Sequence, residues 1–191
     1  MYRDIVVFAL HEEAPNLFAQ YANIFEIGVG KVNAAAHTGY LINKYCPERV
    51  INLGTAGGLT VGTGIYRINK FFQHDVNMRP LGLKPGQILY DDLSVIELEG
   101  EGKSCGTGDI FVTEPNKLRL NCDIIEMEAY SVAKTCIINK TKFEVYKYIT
   151  DAADGAASET WQNAVASGEL LYRHILTKLG VELKEKNKDN G

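Results

Sequence analysis

Arg49-Val50-Ile51-Asn52-Leu53 runs directly into Gly54-Thr55-Ala56-Gly57-Gly58, a short apolar strand followed by a glycine loop. Glycines let backbone N–H groups come close to a ligand and form a nest that tolerates an anion. No Gly-Lys-Ser/Thr follows, so this is not a Walker loop, and it does not open a G-x-G-x-x-G helix. On its own the segment serves a tight turn as readily as a binding site. Its value for the fold is that the same unit, a strand ending in unusual residues, recurs on both sides of it.

Upstream, Ile5–Leu10 is the unbroken apolar run of a strand buried on both faces. A short helix over 14–21 starts with Pro15 in its first turn, and Ile24–Val29 gives a second strand ending in Gly28-Val29-Gly30. Lys31 to Tyr45 reads as a helix with the small residues Ala35, Ala36 and Gly39 on one face. Downstream, strands are expected over 64–73, Leu93–Leu98 and Gly106–Thr113, with a Pro/Gly-rich loop at 77–92 and a short helix at 115–120. A strand closes at Ile124–Glu126, a helix covers Glu128–Ile138, and Phe143–Ile149 is the last strand. Ser158 to Leu179 carries one apolar face at helical spacing. Alternating strands and helices predict an α/β three-layer sandwich, a central mixed β-sheet flanked by helices. Residues 1–183 are expected to form one domain and 184–191 a polar, frayed tail.

Composition narrows the function. The 46% hydrophobic and 23% charged fractions are those of an ordinary globular protein, and a net charge of −4 without a basic cluster argues against nucleic acid as a partner. Ile5–Leu10 is too short to span a membrane and no export signal is visible, so a soluble, cytoplasmic protein is expected. Cys46, Cys105, Cys122 and Cys136 form no C-x-x-C pair, and His11, His37, His74 and His174 form no ligand grouping, so neither metal nor disulfide framework is expected. The histidines are expected mostly exposed or satisfied in the core. No G-x-S-x-G elbow supports a serine hydrolase.

The chemistry-bearing residues follow strand ends, the edge where open α/β sheets bind ligands. Glu12 and Glu13 follow the first strand, either as surface turn residues or with one carboxylate poised to activate water. Glu126-Met127-Glu128 lies where a strand becomes a helix; acids are common there, but two carboxylates flanking a thioether also suit a ribose. Asp151, in Thr150-Asp151-Ala152-Ala153-Asp154, could cap a helix or act as a general acid. Together they make paired carboxylates around a polyol, the constellation that glycosidic-bond hydrolysis needs.

Four segments in order carry a resemblance: Gly28-Val29-Gly30-Lys31-Val32-Asn33-Ala34-Ala35, Asn52-Leu53-Gly54-Thr55-Ala56-Gly57-Gly58, Glu126-Met127-Glu128-Ala129 and Ile149-Thr150-Asp151-Ala152-Ala153-Asp154. The set resembles the nucleoside phosphorylase superfamily and looks closest to its methylthioadenosine/S-adenosylhomocysteine nucleosidase branch. The resemblance implies that Glu13 deprotonates the attacking water and that Asp151 gives a proton to purine N7. It implies that Glu128 hydrogen-bonds the ribose hydroxyls, that Met127 packs against the sugar and that Thr55, Ala56 and Gly57 line the sugar side; Glu126 is a further substrate-binding candidate. Phe111 would stack on the purine and the Val112 backbone would read its edge. It further implies no cofactor and a homodimer whose partner subunit completes the 5′ pocket.

Resembling bacterial phosphorylases carry an arginine at the place of Asn52, and Arg3, Arg49, Arg67, Arg79, Arg119 and Arg173 mostly lie away from the expected rim. A phosphate needs such cations, so hydrolysis is favoured over phosphorolysis. Alternatives are a purine nucleoside phosphorylase, a futalosine-type hydrolase and a catalytically silent nucleoside-binding protein. Departures from the family pattern are a shorter chain, no hairpin between the first strand and Gly28, no helix before Gly106, Leu81 and Leu83 where aromatics are common, and Lys147 where an arginine is common near the site.

Overall fold

The computed structural model describes residues 2–118 and 120–186. Met1, Arg119 and residues 187–191 lie outside the described residues. In chain order the elements are β1 (Asp4–Phe8), α1 (Pro15–Gln20), β2 (Ile24–Glu26), α2 (Lys31–Tyr45), β3 (Arg49–Gly58) and β4 (Ile65–Gln73). They continue as β5 (Val95–Glu97), β6 (Lys103–Thr107), β7 (Ile124–Glu126), α3 (Ala129–Ile138), β8 (Lys142–Asp151), α4 (Ala157–Ala164) and α5 (Glu169–Lys178).

The architecture is the expected one, a mixed sheet with helices on both faces. β1 shows why. Side chains alternate across a strand, so Ile5 and Val7 pack with Val50, Leu41 and Ile42 under α2, while Val6 and Phe8 pack with Leu17, Tyr172 and Leu176 under α1 and α5. Burial of both faces is what makes this strand a continuous apolar run. β3 divides its side chains in the same way, Val50 to one layer and Ile51 and Leu53 to the other.

β3 is the hub. It pairs parallel with β1 along Arg49–Asn52 and parallel with β8 from Arg49 to Gly57. Its last residues, Gly57 and Gly58, pair antiparallel with Ile125 and Ile124 of β7. β8 also pairs antiparallel with β4, β4 parallel with β6, and β6 parallel with β7. Strands β3, β8, β4, β6 and β7 therefore close into a ring, filled by Phe71, Ile68, Val145 and Ile149 and covered by Ala129 and Tyr130 of α3.

Several expectations need correction. Gly54–Gly58 is not a loop: it is the second half of β3, held by its ladder to β8, with a bulge between Ala56 and Gly57. The site-bearing segments do not share one C-terminal rim, because β7 runs opposite to β3 and is brought to it by ring closure. β6 ends at Thr107 rather than Thr113, since the chain leaves the ladder there and Asp109 turns to the start of α2, accepting from the Lys31 N–H at 2.7 Å. The 158–179 helix is two helices, broken around Ser167 and Gly168. Part of the tail expected to fray is docked instead. Ala22 N–H donates to the Lys184 carbonyl, Lys184 N–H to the Asn23 side chain, and Lys186 N–H to the Gln20 carbonyl.

Candidate active site

All ten residues singled out from the sequence border one cavity of about 170 Å³: Glu13, Thr55, Ala56, Gly57, Phe111, Val112, Glu126, Met127, Glu128 and Asp151. Its wall is largely apolar, with Leu10, Val29, Ile110 and Ile125 also contributing. Phe111 and Val112 also border a second cavity of about 420 Å³, next to His74 and Asn77. His74 departs from the expectation for the histidines: it is buried, its Nε2 has no partner among the described residues, and burial pushes its pKa below the ordinary imidazole range.

Glu13 ends a 3₁₀ turn, His11–Glu13, just past β1. Its Oε2 accepts from the Leu10 N–H at 3.1 Å, and its Oε1 accepts from the Thr55 N–H at 2.6 Å and the Thr55 hydroxyl at 2.8 Å. Gly54 is required by this approach, since a Cβ there would lie 3.0 Å from Glu13 Oε1. Burial raises the Glu13 pKa, and the Lys147 charge and the Thr55 hydrogen bonds only partly oppose it. A carboxylate whose proton affinity is lifted in this way is a better base than a solvated one.

Asp151 ends β8 and borders the same cavity. Its Oδ1 accepts from the Ala153 N–H and its Oδ2 from the Thr150 hydroxyl, each at 2.8 Å. A Cβ at Gly57 would meet Asp151 Oδ1 and the Ala153 methyl, both at 3.0 Å, so glycine is what lets β3 pass the carboxylate.

Glu126 and Glu128, equivalent in the sequence, separate in the structure. Glu126 Oε2 accepts from the N–H groups of Glu128 and Ala129 at the head of α3 and is 2.9 Å from Lys147 Nζ; its Oε1 accepts from the Thr107 hydroxyl. Burial works against its charge, but Lys147, Thr107 and the helix N–H groups outweigh that and hold its pKa below the usual carboxylate range. With its oxygens engaged in this way, Glu126 anchors the site more than it offers acceptors to a ligand. The Glu128 carboxylate has one hydrogen-bond partner among the described residues, the Gly30 N–H at 2.8 Å. Its burial, and next the Glu126 charge, push its pKa up to about 8.

Two neighbours of these residues were not among the sequence candidates. Lys147 is fully buried, and the surrounding carboxylates hold it protonated despite its desolvation; its one signal was its place in the family pattern. Trp161 of α4 borders the cavity and donates to Thr55 Oγ1 at 3.0 Å. In the sequence it fits the apolar face of a helix, which concealed it.

A family model described as the phosphorylase superfamily matches residues 16–177. The chain belongs to the phosphorylase superfamily. Among its superfamily relatives, the 5′-methylthioadenosine/S-adenosylhomocysteine nucleosidase of Staphylococcus saprophyticus is 32% identical over 180 residues, covering 78% of this chain and 79% of that protein. Two Helicobacter pylori structures share the superfamily fold at 17% identity. A futalosine hydrolase mutant has a TM-score of 0.85 and covers 94% of this chain and 99% of its own. A methylthioadenosine nucleosidase mutant with 5′-methylthioadenosine in its active site has a TM-score of 0.84, with coverage of 94% and 98%.

The raised Glu128 pKa has a sign that can be tested. Between its ordinary value of 4.5 and about 8, the folded chain keeps a proton that the unfolded chain has lost. Stability is therefore lost as pH rises through that window. Glu128→Gln keeps the Gly30 contact without the ionisation, so its thermal midpoint should exceed that of the wild type increasingly from about pH 5 to about pH 8 and then level off. A constant difference between the two proteins across that range would contradict the assignment.

Proposed function

We propose that this chain is a purine nucleosidase that hydrolyses the N-glycosidic bond of 5′-methylthioadenosine or S-adenosylhomocysteine. The observation that carries the reading is three acids, Glu13, Glu128 and Asp151, on the walls of one largely apolar cavity. The nucleosidase relative at 32% identity supports the same substrate class.

In the proposed reaction Glu13 accepts a proton from water as the water oxygen bonds to C1′. The C1′–N9 electron pair leaves with the purine, and Asp151 donates a proton to N7 so that the base departs neutral. Glu128 holds the ribose hydroxyls. Positive charge develops on the sugar in the transition state, where the buried carboxylates stabilise it. Met127 packs on the sugar, Phe111 stacks on the base, and Thr55, Ala56 and Gly57 form the sugar-side wall. Nothing in this chemistry calls for a cofactor.

Phosphorolysis fits less well. No arginine or lysine borders the cavity among the described residues, and the nearby cation, Lys147, is engaged by Glu126. Asn52 is a buried neutral amide whose Nδ2 donates to the Val7 and Leu53 carbonyls. A dianionic phosphate would meet carboxylates without a fork of donors to offset them.

Glu13→Gln and Asp151→Asn should each lower adenine release from methylthioadenosine by about 10²–10⁴-fold, the usual worth of acid–base assistance. Chromatography of released adenine checks this; release by Asp151→Asn at the wild-type rate would remove Asp151 from the role of acid.

We also propose a homodimer. Ile110 and Phe111 beside the cavity, and Leu81, Leu89 and Tyr90 in the 77–92 loop, are exposed apolar side chains of the kind that interfaces cover. Light scattering should give twice the 21.1 kDa chain mass; a monomer mass at assay concentration would refute it. No helix among the described residues is long and apolar enough to cross a membrane, and the four cysteines are free. Both fit the proposed cytoplasmic location.

A further inference from the structure

Trp161 is the single tryptophan of the chain. It sits on α4, and of the eight residues of that helix only Ala157 is buried. The helix is thus lightly held, and the indole is its link to the cavity. Trp161 Nε1 lies 3.0 Å from Thr55 Oγ1, and that same oxygen lies 2.8 Å from Glu13 Oε1. An indole N–H only donates, an ionised carboxylate only accepts, and a threonine hydroxyl has one proton to give. While Glu13 is ionised the three groups have a single consistent orientation: Nε1–H donates to Oγ1, and Oγ1–H donates to Oε1.

We propose that Trp161 is a positioning residue for Glu13: docking of α4 on the cavity acts through the Thr55 hydroxyl to aim the base and favour its ionised form. This rests on the reading of Glu13 as the base. The indole polarises the hydroxyl it donates to, which strengthens the next hydrogen bond in the chain. A hydrogen bond to the charged form of an acid favours that form, and it weakens once the acid is protonated.

Other groups also act on Glu13. Lys147 of β8 favours its charge, Glu128 at the head of α3 opposes it, and the Tyr172 phenol of α5 lies near enough to feel it. The Thr55 and Leu10 N–H groups donate to it, and His11 and Glu12 share its turn. Each of these is fixed by the sheet, by a helix other than α4 or by the turn itself. The Trp161 relay is the contact that α4 controls. Because the same indole borders the cavity, a nucleoside that seats α4 also sets the base, which couples occupancy to reactivity.

Two readouts test this, one of them independent of turnover. In the ligand-free protein the sole indole, excited where tyrosine does not absorb, should change its emission over the pH range in which Glu13 ionises. Glu13→Gln and Thr55→Val should each abolish that change. In adenine-release assays, Trp161→Phe should move the acid limb of kcat/KM upward by about half a pH unit to one unit, the worth of one neutral hydrogen bond. Thr55→Ser should keep the wild-type limb, and Thr55→Val combined with Trp161→Phe should shift it no further than Thr55→Val alone. An emission transition that survives Glu13→Gln, or a Trp161→Phe enzyme changed in KM alone, would overturn the relay. Failure of the wild type to release adenine would overturn the nucleosidase reading instead, and the emission measurement would still decide the relay.

Discussion

Lys147 and Glu126 face each other at 2.9 Å with side chains 1% and 2% exposed, and the geometry of the cavity follows from that pair. Two charges withdrawn from water gain little stability together, yet removing one partner typically costs about 3–5 kcal/mol because the other is left buried and alone. The pair is thus better understood as a fixed point than as a source of stability. Glu126 uses the same oxygen that meets Lys147 to hold the first N–H groups of α3, which sets where Glu128 stands. Lys147 comes from β8, the strand that also ends in Asp151 and pairs with β3 from Arg49 to Gly57. Glu13, Asp151 and Glu128 are therefore referred to one frame.

The pair also divides the labour among the acids. Glu126 takes the lysine and the helix N–H groups and remains ionised. Glu128, two residues on, is left buried beside that charge and keeps its proton up to about pH 8. Glu13 is raised by its burial, while two backbone N–H groups, a hydroxyl and the Lys147 charge favour its anion. Neighbouring carboxylates in one cavity are thus held in different protonation states at the same pH by their different partners.

Much of this was legible in the sequence. Buried strands declare themselves as apolar runs, so β1, β4 and β8 were visible, and α2 was read to its residue bounds. The carboxylates stood out because they follow strand ends, whereas Phe111 and Val112 came only from the family resemblance. What could not be read was closure. The ring depends on β3 exchanging β1 for β7 midway, and no local pattern in Gly54–Gly58 distinguishes a strand that turns a corner from a glycine loop. Nor could spacing separate Glu126 from Glu128, since the difference lies in Lys147, which is distant in the chain, and Trp161 was hidden by a helical pattern that it also satisfies.

The central claim is that water, activated by Glu13, is the nucleophile at C1′. The most direct measurement is the identity of the sugar product, by mass, when methylthioadenosine is turned over with and without excess phosphate. The account predicts the free thioribose in both cases, with adenine released at the same rate. A sugar 1-phosphate, formed only when phosphate is present, would contradict it.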